Sequence, residues 1–242
     1  MSMEKKATRV AYGEYIAKLG DTNDKLVVLD ADLAGATMTQ YFKKAHPDRF
    51  FDCGIAEANM VDLAAGMSTT GLVPFCSTFA VFASRCLDQI RNTVCYPKMN
   101  VKFAFTHAGI TLGEDGGSHQ ALEDIAIMRA LPNMTVFVPC DAKETERCID
   151  AALEINGPVY IRLARLPSPI FEMDMPFIPG KVNVLREGKD EVLLCSGVMV
   201  SECMAAAELL AAQGKDVCVV NCHTIKPFDV EGVQELAKTH KH

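Results

Sequence analysis

The chain has 242 residues and a net charge of −7, and 49% of its residues are hydrophobic, which is enough to bury a substantial core. Its acidic balance offers no basic stripe to neutralise phosphates, so nucleic acid is not an expected partner. A membrane is not expected either, because no apolar run approaches the ~20 residues that span a bilayer and the N-terminus lacks the apolar core of a signal peptide.

From the N-terminus onward, short apolar runs alternate with longer amphipathic ones. Predicted strands cover residues 26–29, 50–51, 73–76, 101–105, 135–138 and 159–161. Predicted helices cover residues 9–19, 38–45, 56–69, 81–95, 121–130 and 142–155, the last with Asp141 as its N-cap. Strand–helix alternation of this kind predicts an α/β fold with a doubly wound, mostly parallel sheet.

A proline-rich segment, residues 166–180, then interrupts the alternation. It predicts a linker at 171–180 between a first domain of residues 1–170 and a second of residues 181–242. In the second domain the pattern predicts a strand at 191–195, a helix at 199–213, a strand at 217–220 and a helix from Val230. Because these few elements can form only a small core, this part is expected to be the beginning of a second α/β domain.

The ten cysteines form no C-x-x-C pair. Several lie inside apolar runs, as Cys76, Cys195 and Cys218 do, which predicts small buried side chains in a reducing, cytoplasmic environment. The chain also lacks the glycine-rich phosphate loop, the dinucleotide-binding fingerprint and the H-E-x-x-H zinc helix. We therefore predict no metal-ligating residues in this chain.

The segment Gly113-Glu114-Asp115-Gly116-Gly117-Ser118-His119-Gln120 carries the strongest functional signal. It places two acids, a histidine, an amide and three glycines between a predicted strand and a predicted helix. Open α/β sheets bind their ligands at the carboxyl ends of the strands. A functional site is therefore favoured over a solvated turn, in which these residue types are also common.

Other candidate side chains lie at predicted element ends. Glu57 opens a helix among small and apolar neighbours, which fits either a desolvated carboxyl of raised pKa or an acid at a helix N-terminus. Phe79 and Phe82 are i,i+3 neighbours, which fits either a core pair or a stacking platform for a flat heterocycle. Considered alone, the acids Asp30 and Asp32 and the cations Arg9 and Arg165 are expected to be surface residues.

Taken together, these segments resemble the pyrimidine-binding half of the transketolase family. The resemblance extends over residues 7–170, and the region after Gly180 is similar to the beginning of the family's C-terminal domain. It is carried by Ala7-Thr8-Arg9, Leu29-Asp30-Ala31-Asp32-Leu33, Gly54-Ile55-Ala56-Glu57, Ser77-Thr78-Phe79, Thr106-His107, residues 113–120, and Leu163-Ala164-Arg165.

The resemblance implies thiamine diphosphate as the cofactor and implies that four residues bind it. Glu57 matches the catalytic glutamate that hydrogen-bonds the N1′ nitrogen of the aminopyrimidine and so promotes loss of the thiazolium proton. Phe82, with Phe79 behind it, matches the aromatic wall that stacks on the pyrimidine. Asp32 matches an acid close to the cofactor.

The same resemblance implies a reaction, the transfer of a two-carbon ketol unit from a ketose phosphate to an aldose phosphate. His119 matches a catalytic, sugar-contacting histidine, Asp115 matches a second hydroxyl contact, and His107 matches another substrate-side histidine. Arg9 and Arg165 match the arginines that hold the sugar phosphate, a task suited to guanidinium geometry.

Two departures from the family pattern affect these expectations. Ala36 stands where transketolases usually have a phosphate-contacting serine, which weakens the expectation of an ordinary sugar phosphate. The family's Gly-Asp-Gly metal motif with its downstream asparagine does not occur here. We therefore predict a split transketolase, in which an N-terminal partner subunit holds the diphosphate and Mg²⁺.

The expected assembly is α₂β₂, with this chain also contacting a second copy of itself. The helix predicted at 56–69 is rich in small residues, which fits either a subunit contact, the favoured interpretation, or tight core packing. Two alternatives for the function remain open, a deoxyxylulose-phosphate synthase-like enzyme and a non-catalytic transketolase-like binding subunit. The beta subunit of a 2-oxo acid dehydrogenase has the same architecture, but its substrate loop is not expected to resemble residues 113–120.

Overall fold

The computed structural model of the protein describes residues 4–171 and 176–241. The α-helices in these residues are α1 (Thr8–Gly20), α2 (Ala34–Thr37), α3 (Gln40–Ala45), α4 (Glu57–Ser68), α5 (Leu87–Gln89), α6 (Asp124–Ala130), α7 (Ala142–Glu154), α8 (Met199–Ala211) and α9 (Val230–Thr239). The strands are β1 (Lys5–Ala7), β2 (Leu26–Asp30), β3 (Phe50–Asp52), β4 (Val73–Ser77), β5 (Lys102–Phe105), β6 (Thr135–Phe137), β7 (Val159–Arg162), β8 (Pro167–Pro169), β9 (Asn183–Arg186), β10 (Glu191–Cys195), β11 (Val217–Asn221) and β12 (Thr224–Lys226).

The large sheet has seven strands in the order β12-β6-β7-β5-β4-β2-β3, and all neighbouring pairs except β12–β6 are parallel. Helices cover both faces, and a separate hydrophobic cluster fills the space on each side. Every residue of β2 and β5 is buried, as strands covered on both faces require. The predicted α/β fold with a doubly wound, mostly parallel sheet is confirmed.

The second part of the chain forms a three-stranded sheet in the order β10-β11-β9, with α8 packed against it. The strands predicted at 191–195 and 217–220 are confirmed as β10 and β11, which pair in parallel, whereas β9 and β12 were not predicted. Strand β12 leaves this part and pairs antiparallel with β6 at the edge of the large sheet. Three-residue strands carry too little periodicity to be detected in a sequence.

The helix predicted at 38–45 is wrong at its start, because the backbone of Met38 is left-handed, with φ of +70°. The hydroxyls of Thr37 and Thr39 donate to one oxygen of buried Asp30, at 2.7 and 2.9 Å. These two bonds turn the chain at Met38, whose carbonyl lies against Gly13 of α1. The predicted helix therefore begins only at Gln40, as α3, and is preceded by the short helix α2, which was not predicted.

Two further predicted helices have different forms. In place of one α-helix at 81–95 there is a 3₁₀ segment (Ala80–Cys86), then α5, then a π-helix (Ile90–Cys95). All three forms place residues three to five apart on one face, so the apolar pattern does not separate them. The helix predicted at 121–130 begins only at Asp124, because Ala121 pairs with Gly109 in an isolated antiparallel bridge.

The proline-rich segment after residue 165 is partly regular. Strand β8 pairs antiparallel with β1, and the two form a two-stranded sheet in which prolines are tolerated. Residues 172–175 of the predicted 171–180 linker lie outside the described residues. Among the helices that the structure describes, none is long and apolar enough to cross a membrane.

The small residues of α4 have a core explanation in part. Ala64 and Ala65 are buried against the large sheet, and Ala58 packs against the same hydrophobic cluster. Gly66, another of these small residues, lies on the exposed face of α4 with Leu63. The alanines therefore support tight core packing, and the favoured subunit contact stays a prediction.

Candidate active site

The candidate residues gather at one edge of the large sheet because its parallel strands end there. Asp32 follows β2, Glu57 follows β3, Phe79 follows β4, His107 follows β5 and Arg165 follows β7. Parallel strands place their carboxyl ends together, and ligands bind there in open α/β sheets. The site is thus a consequence of the topology, since these residues are far apart in the sequence.

Two phenylalanine rings form the centre of the site. The rings of Phe79 and Phe82 lie nearly parallel, with centroids 5.7 Å apart and an interplanar angle of 8°. His119 meets both rings edge-on, with centroid distances of 6.2 and 5.8 Å. The pair fits in part both a core contact and a stacking platform, because Phe79 is buried whereas Phe82 is only half-buried.

Glu57 is buried at the first position of α4, with 4% of its surface exposed. One of its oxygens, Oε1, accepts a hydrogen bond of 2.9 Å from Nη1 of Arg85. The Arg85 guanidinium also lies 4.1 Å from the centroid of the Phe82 ring, a cation–π contact. Arg85 therefore links the carboxyl to the aromatic pair, and sequence reasoning missed it although it is three residues from Phe82.

His107 lies behind the aromatic pair, with its ring stacked on Phe79 at a centroid distance of 3.8 Å. Its backbone has φ of +59°, a strained conformation for a residue with a side chain, and such strain is common at functional sites. Burial, and then the nearby charge of Arg9, lower the pKa of His107 to about 4. The imidazole is therefore neutral near pH 7, with one nitrogen that donates and one that accepts, and its Nδ1 is already hydrogen-bonded to the hydroxyl of Thr106 at 2.8 Å.

A cationic corner lies beside these rings. Arg9 donates from Nε to the backbone carbonyl of Arg165 and from Nη1 to the carbonyl of Ala36. Arg165 lies 3.8 Å from the carboxylate of Asp115. Burial, and then the charge of Arg165, lower the pKa of Arg9, while Asp115 opposes the shift. Two guanidinium groups with one carboxylate between them leave a net positive charge, which favours an anionic group of a ligand.

The glycine-rich segment 113–120 forms two short 3₁₀ turns, Gly113–Asp115 and Gly117–His119. Gly113 and Gly116 have φ of +78° and +73°, so both use a conformation that glycine adopts without strain. These turns bring Asp115 to the cationic corner and His119 to the phenylalanine pair.

The two acids after β2 differ in their surroundings. Asp30, expected at the surface, is fully buried and accepts hydrogen bonds from Leu33 N, Thr37 and Thr39. Burial raises the pKa of Asp30, and these bonds oppose the shift. Asp32 is exposed with φ of +62°, at the same sheet edge. No contact described for residues 4–171 and 176–241 joins Asp32 to the ring cluster.

The other candidate residues form two groups at this edge, the buried carboxyl with the stacked rings and the two histidines, and the cationic corner, whose charges act on His107. Together they can hold a flat heterocycle against the rings and an anion at the arginines. Within the part of the chain that the structure describes, no cluster of three or more histidine, cysteine or carboxylate side chains is placed to hold a metal ion. A doubly wound domain with this site is suited to binding a flat ligand that carries an anionic group at the sheet edge.

Comparison with known proteins assigns the family. The model of the transketolase pyrimidine-binding domain matches residues 4–169, and the model of the transketolase C-terminal domain matches residues 180–242. The chain belongs to the transketolase family.

Several relatives match nearly the whole chain. It is 47% identical, over 95% of its length, to a protein of Methanocaldococcus jannaschii described as a transketolase C-terminal section, and spans 74% of that relative. It is 41% identical to the 6-deoxy-6-sulfo-D-fructose transketolase subunit of a Clostridium strain, covering 98% of this chain and 74% of the relative. Human transketolase is 40% identical over 98% of this chain, which spans only 39% of the human protein.

Solved structures show the same fold. A structure described as a split-gene transketolase, an inactive beta4 tetramer, superposes with a TM-score of 0.89 at 51% identity, covering 98% of this chain and 78% of that one. Transketolase from Campylobacter jejuni superposes with a TM-score of 0.85 at 27% identity, covering 94% and 37%.

Proposed function

We propose that this chain is the pyrimidine-binding subunit of a split transketolase, which transfers a two-carbon ketol unit from a ketose phosphate to an aldose phosphate. The observation that carries the proposal is the group in which Arg85 links buried Glu57 to the Phe79–Phe82 pair. Similarity to proteins described as a split-gene transketolase and as a C-terminal section supports the division into subunits.

The residues at the sheet edge fit the aminopyrimidine part of thiamine diphosphate. A buried carboxyl beside parallel aromatic rings offers one hydrogen-bonding group and one stacking surface, which is the donor set that a flat aminopyrimidine requires. When bound, thiamine diphosphate supplies the electron sink for cleaving the bond next to the ketose carbonyl. In this proposal Glu57 holds the ring nitrogen, Phe82 with Phe79 holds the ring plane, and Asp32 lies on the cofactor side of the edge.

The remaining residues of the site act on the sugar. His119 and Asp115 bind hydroxyl groups, and His119 also serves the chemical step by moving a proton at its imidazole. Neutral His107 is suited to a hydrogen bond with the substrate. Arg9 and Arg165 hold the terminal anion, because their charges lie close enough together for Arg165 to lower the pKa of Arg9.

The second half of the cofactor site is assigned to a partner subunit. That partner binds the diphosphate and Mg²⁺, and the working assembly is α₂β₂, with two copies of this chain. The solved split-gene relative is described as inactive as a beta4 tetramer, which fits a requirement for a second kind of subunit. We place the assembly in the cytoplasm.

The proposal is tested by reconstitution. The purified chain and the purified diphosphate-binding subunit from the same genome are assayed separately and mixed, with a ketopentose phosphate donor and an aldopentose phosphate acceptor. We expect transfer only in the mixture, and only with thiamine diphosphate and Mg²⁺ present. Transfer by this chain alone contradicts the division into subunits. A stable complex without transfer supports the non-catalytic alternative instead.

A sulfonated ketose is the second candidate substrate. The Clostridium relative is named for 6-deoxy-6-sulfo-D-fructose, and a sulfonate is an anion that the Arg9–Arg165 corner would also hold. Ala36, in place of the usual serine, removes a hydroxyl contact to phosphate. A donor that is sulfonated at carbon 6 is therefore compared with its phosphorylated counterpart in the reconstituted enzyme. A higher kcat/KM for the sulfonated donor assigns the corner to sulfonate.

A further inference from the structure

A buried polar network joins α6 to β7, and none of its residues binds the cofactor or the sugar in the function proposed above. Asp124, the first residue of α6, accepts hydrogen bonds from Nε of Arg162 at 2.7 Å and from Nη2 at 3.2 Å. The hydroxyl of Tyr160 donates to the same carboxylate at 2.9 Å. Asp124 and Tyr160 are buried, and 18% of the Arg162 side chain is exposed. The Arg162 guanidinium is therefore held by Asp124, unlike the guanidinium groups of Arg9 and Arg165 at the cationic corner.

This network supports both ends of the loop that carries the site residues. Gly109 and Ala121 exchange two backbone hydrogen bonds, of 3.0 and 3.2 Å, and so close the base of the loop formed by residues 110–120. The Arg162 guanidinium lies against Gly109, because a Cβ atom added there would meet Nη2 at 3.3 Å. Asp124 follows Ala121 by three residues, so the ion pair connects the two chain ends that define the loop.

We propose that Asp124, Arg162 and Tyr160 are positioning residues, which fix the base of the 110–120 loop and thereby set where Asp115 and His119 lie. The expected effect on catalysis rests on the function proposed above. The expected effect on the order of the loop is independent of that function, since it concerns this chain alone.

The proposed positioning role differs from a simple contribution of the network to stability. Replacing a buried ion pair by apolar residues of similar volume is often neutral or stabilising, because the desolvation of the charges offsets their attraction. A network kept only for stability can thus be exchanged for apolar side chains without loss. A network kept for position cannot, because apolar contacts do not fix direction as a bidentate arginine–carboxylate pair does.

The test measures hydrogen–deuterium exchange in the isolated, purified chain, which needs neither cofactor nor partner. Asp124→Asn and the apolar triple variant Asp124→Leu/Arg162→Met/Tyr160→Phe are compared with the unaltered chain. We expect exchange in residues 110–121 to rise roughly tenfold or more in both variants, since the loop base opens more often. The rise is expected even where the triple variant melts at the temperature of the unaltered chain.

Asp141→Asn is the matched control. Asp141 is also a buried acid at the start of a helix, and it bonds Glu144 N at 2.8 Å and Phe171 N at 2.8 Å. Its loss is expected to lower the melting temperature and to leave exchange in residues 110–121 unchanged. An apolar triple variant with both normal stability and normal loop exchange overturns the proposal.

A milder variant covers the case in which the triple variant does not fold. Tyr160→Phe keeps the ring that packs edge-on against Phe105 and removes one hydrogen bond to Asp124. We expect a smaller but selective rise of exchange in the loop, and no rise there contradicts the network. In the reconstituted enzyme the same variant should lower kcat more than it raises KM. Absence of transfer in the unaltered enzyme would count against the proposed function alone.

Discussion

Glu57→Gln should reduce the turnover of the reconstituted enzyme by about 10³-fold, the middle of the range that a positioned acid or base contributes. Glutamine keeps the shape of the side chain, and its amide oxygen can still accept the bond from Arg85 that Glu57 Oε1 accepts at 2.9 Å. It cannot hold the acidic proton that the proposed role at the pyrimidine requires. The measurement is steady-state transfer, with the melting temperature recorded in parallel.

Glu154→Gln is the control for this change. Glu154 lies exposed at the end of α7, away from the sheet edge that carries the site. Its replacement should leave both turnover and melting temperature unchanged. Turnover of Glu57→Gln within a few-fold of the unaltered enzyme would remove Glu57 from the mechanism.

Arg165→Ala and His119→Ala should damage the enzyme in different ways. The alanine at 165 removes a guanidinium but keeps the backbone carbonyl to which Arg9 donates, so the corner keeps its shape. Loss of one charge-assisted contact should raise KM for phosphorylated sugars roughly 10- to 100-fold. Unphosphorylated sugars should be affected far less. His119→Ala should lower kcat for both kinds of substrate, because its proposed role includes the chemical step.

Kinetics with matched sugars that differ only in the phosphate decide this prediction. Arg91→Ala serves as the control, since it breaks an exposed pair with Asp88 that lies outside the site. Equal loss for phosphorylated and unphosphorylated sugars in Arg165→Ala would show that Arg165 supports the structure and does not bind the anion.

Some of the fold could be predicted because local pattern and long-range structure agree. The predicted core strands match β2, β4, β5 and β7 within a residue or so at each end, and Asp141 caps α7 as its position indicated. The elements that were missed are three or four residues long and exist because of a distant partner. Strand β12 forms because β6 has a free edge, and β8 forms because β1 lies beside it. Such pairing is not recorded in local periodicity.

The candidate site, like the fold, could be predicted only in part. The residue types at strand ends indicated that the candidates would meet, and all except Asp32 belong either to the ring cluster with Glu57 or to the cationic corner, whose charges act on His107. The connections between them could not be predicted, because they depend on side-chain directions. Arg85 contacts both Glu57 and Phe82, and burial of the Thr37 and Thr39 hydroxyls depends on Asp30 being inside.

In the proposed function, this chain supplies one wall of a cofactor site, and a partner subunit supplies the other wall. Calorimetric titration with thiamine diphosphate and Mg²⁺ tests this division most directly, carried out on the isolated chain and on its mixture with the diphosphate-binding subunit. We expect no tight binding of thiamine diphosphate by the chain alone and tight, Mg²⁺-dependent binding by the mixture. Tight, Mg²⁺-dependent binding by the isolated chain would contradict the division of the site between two subunits.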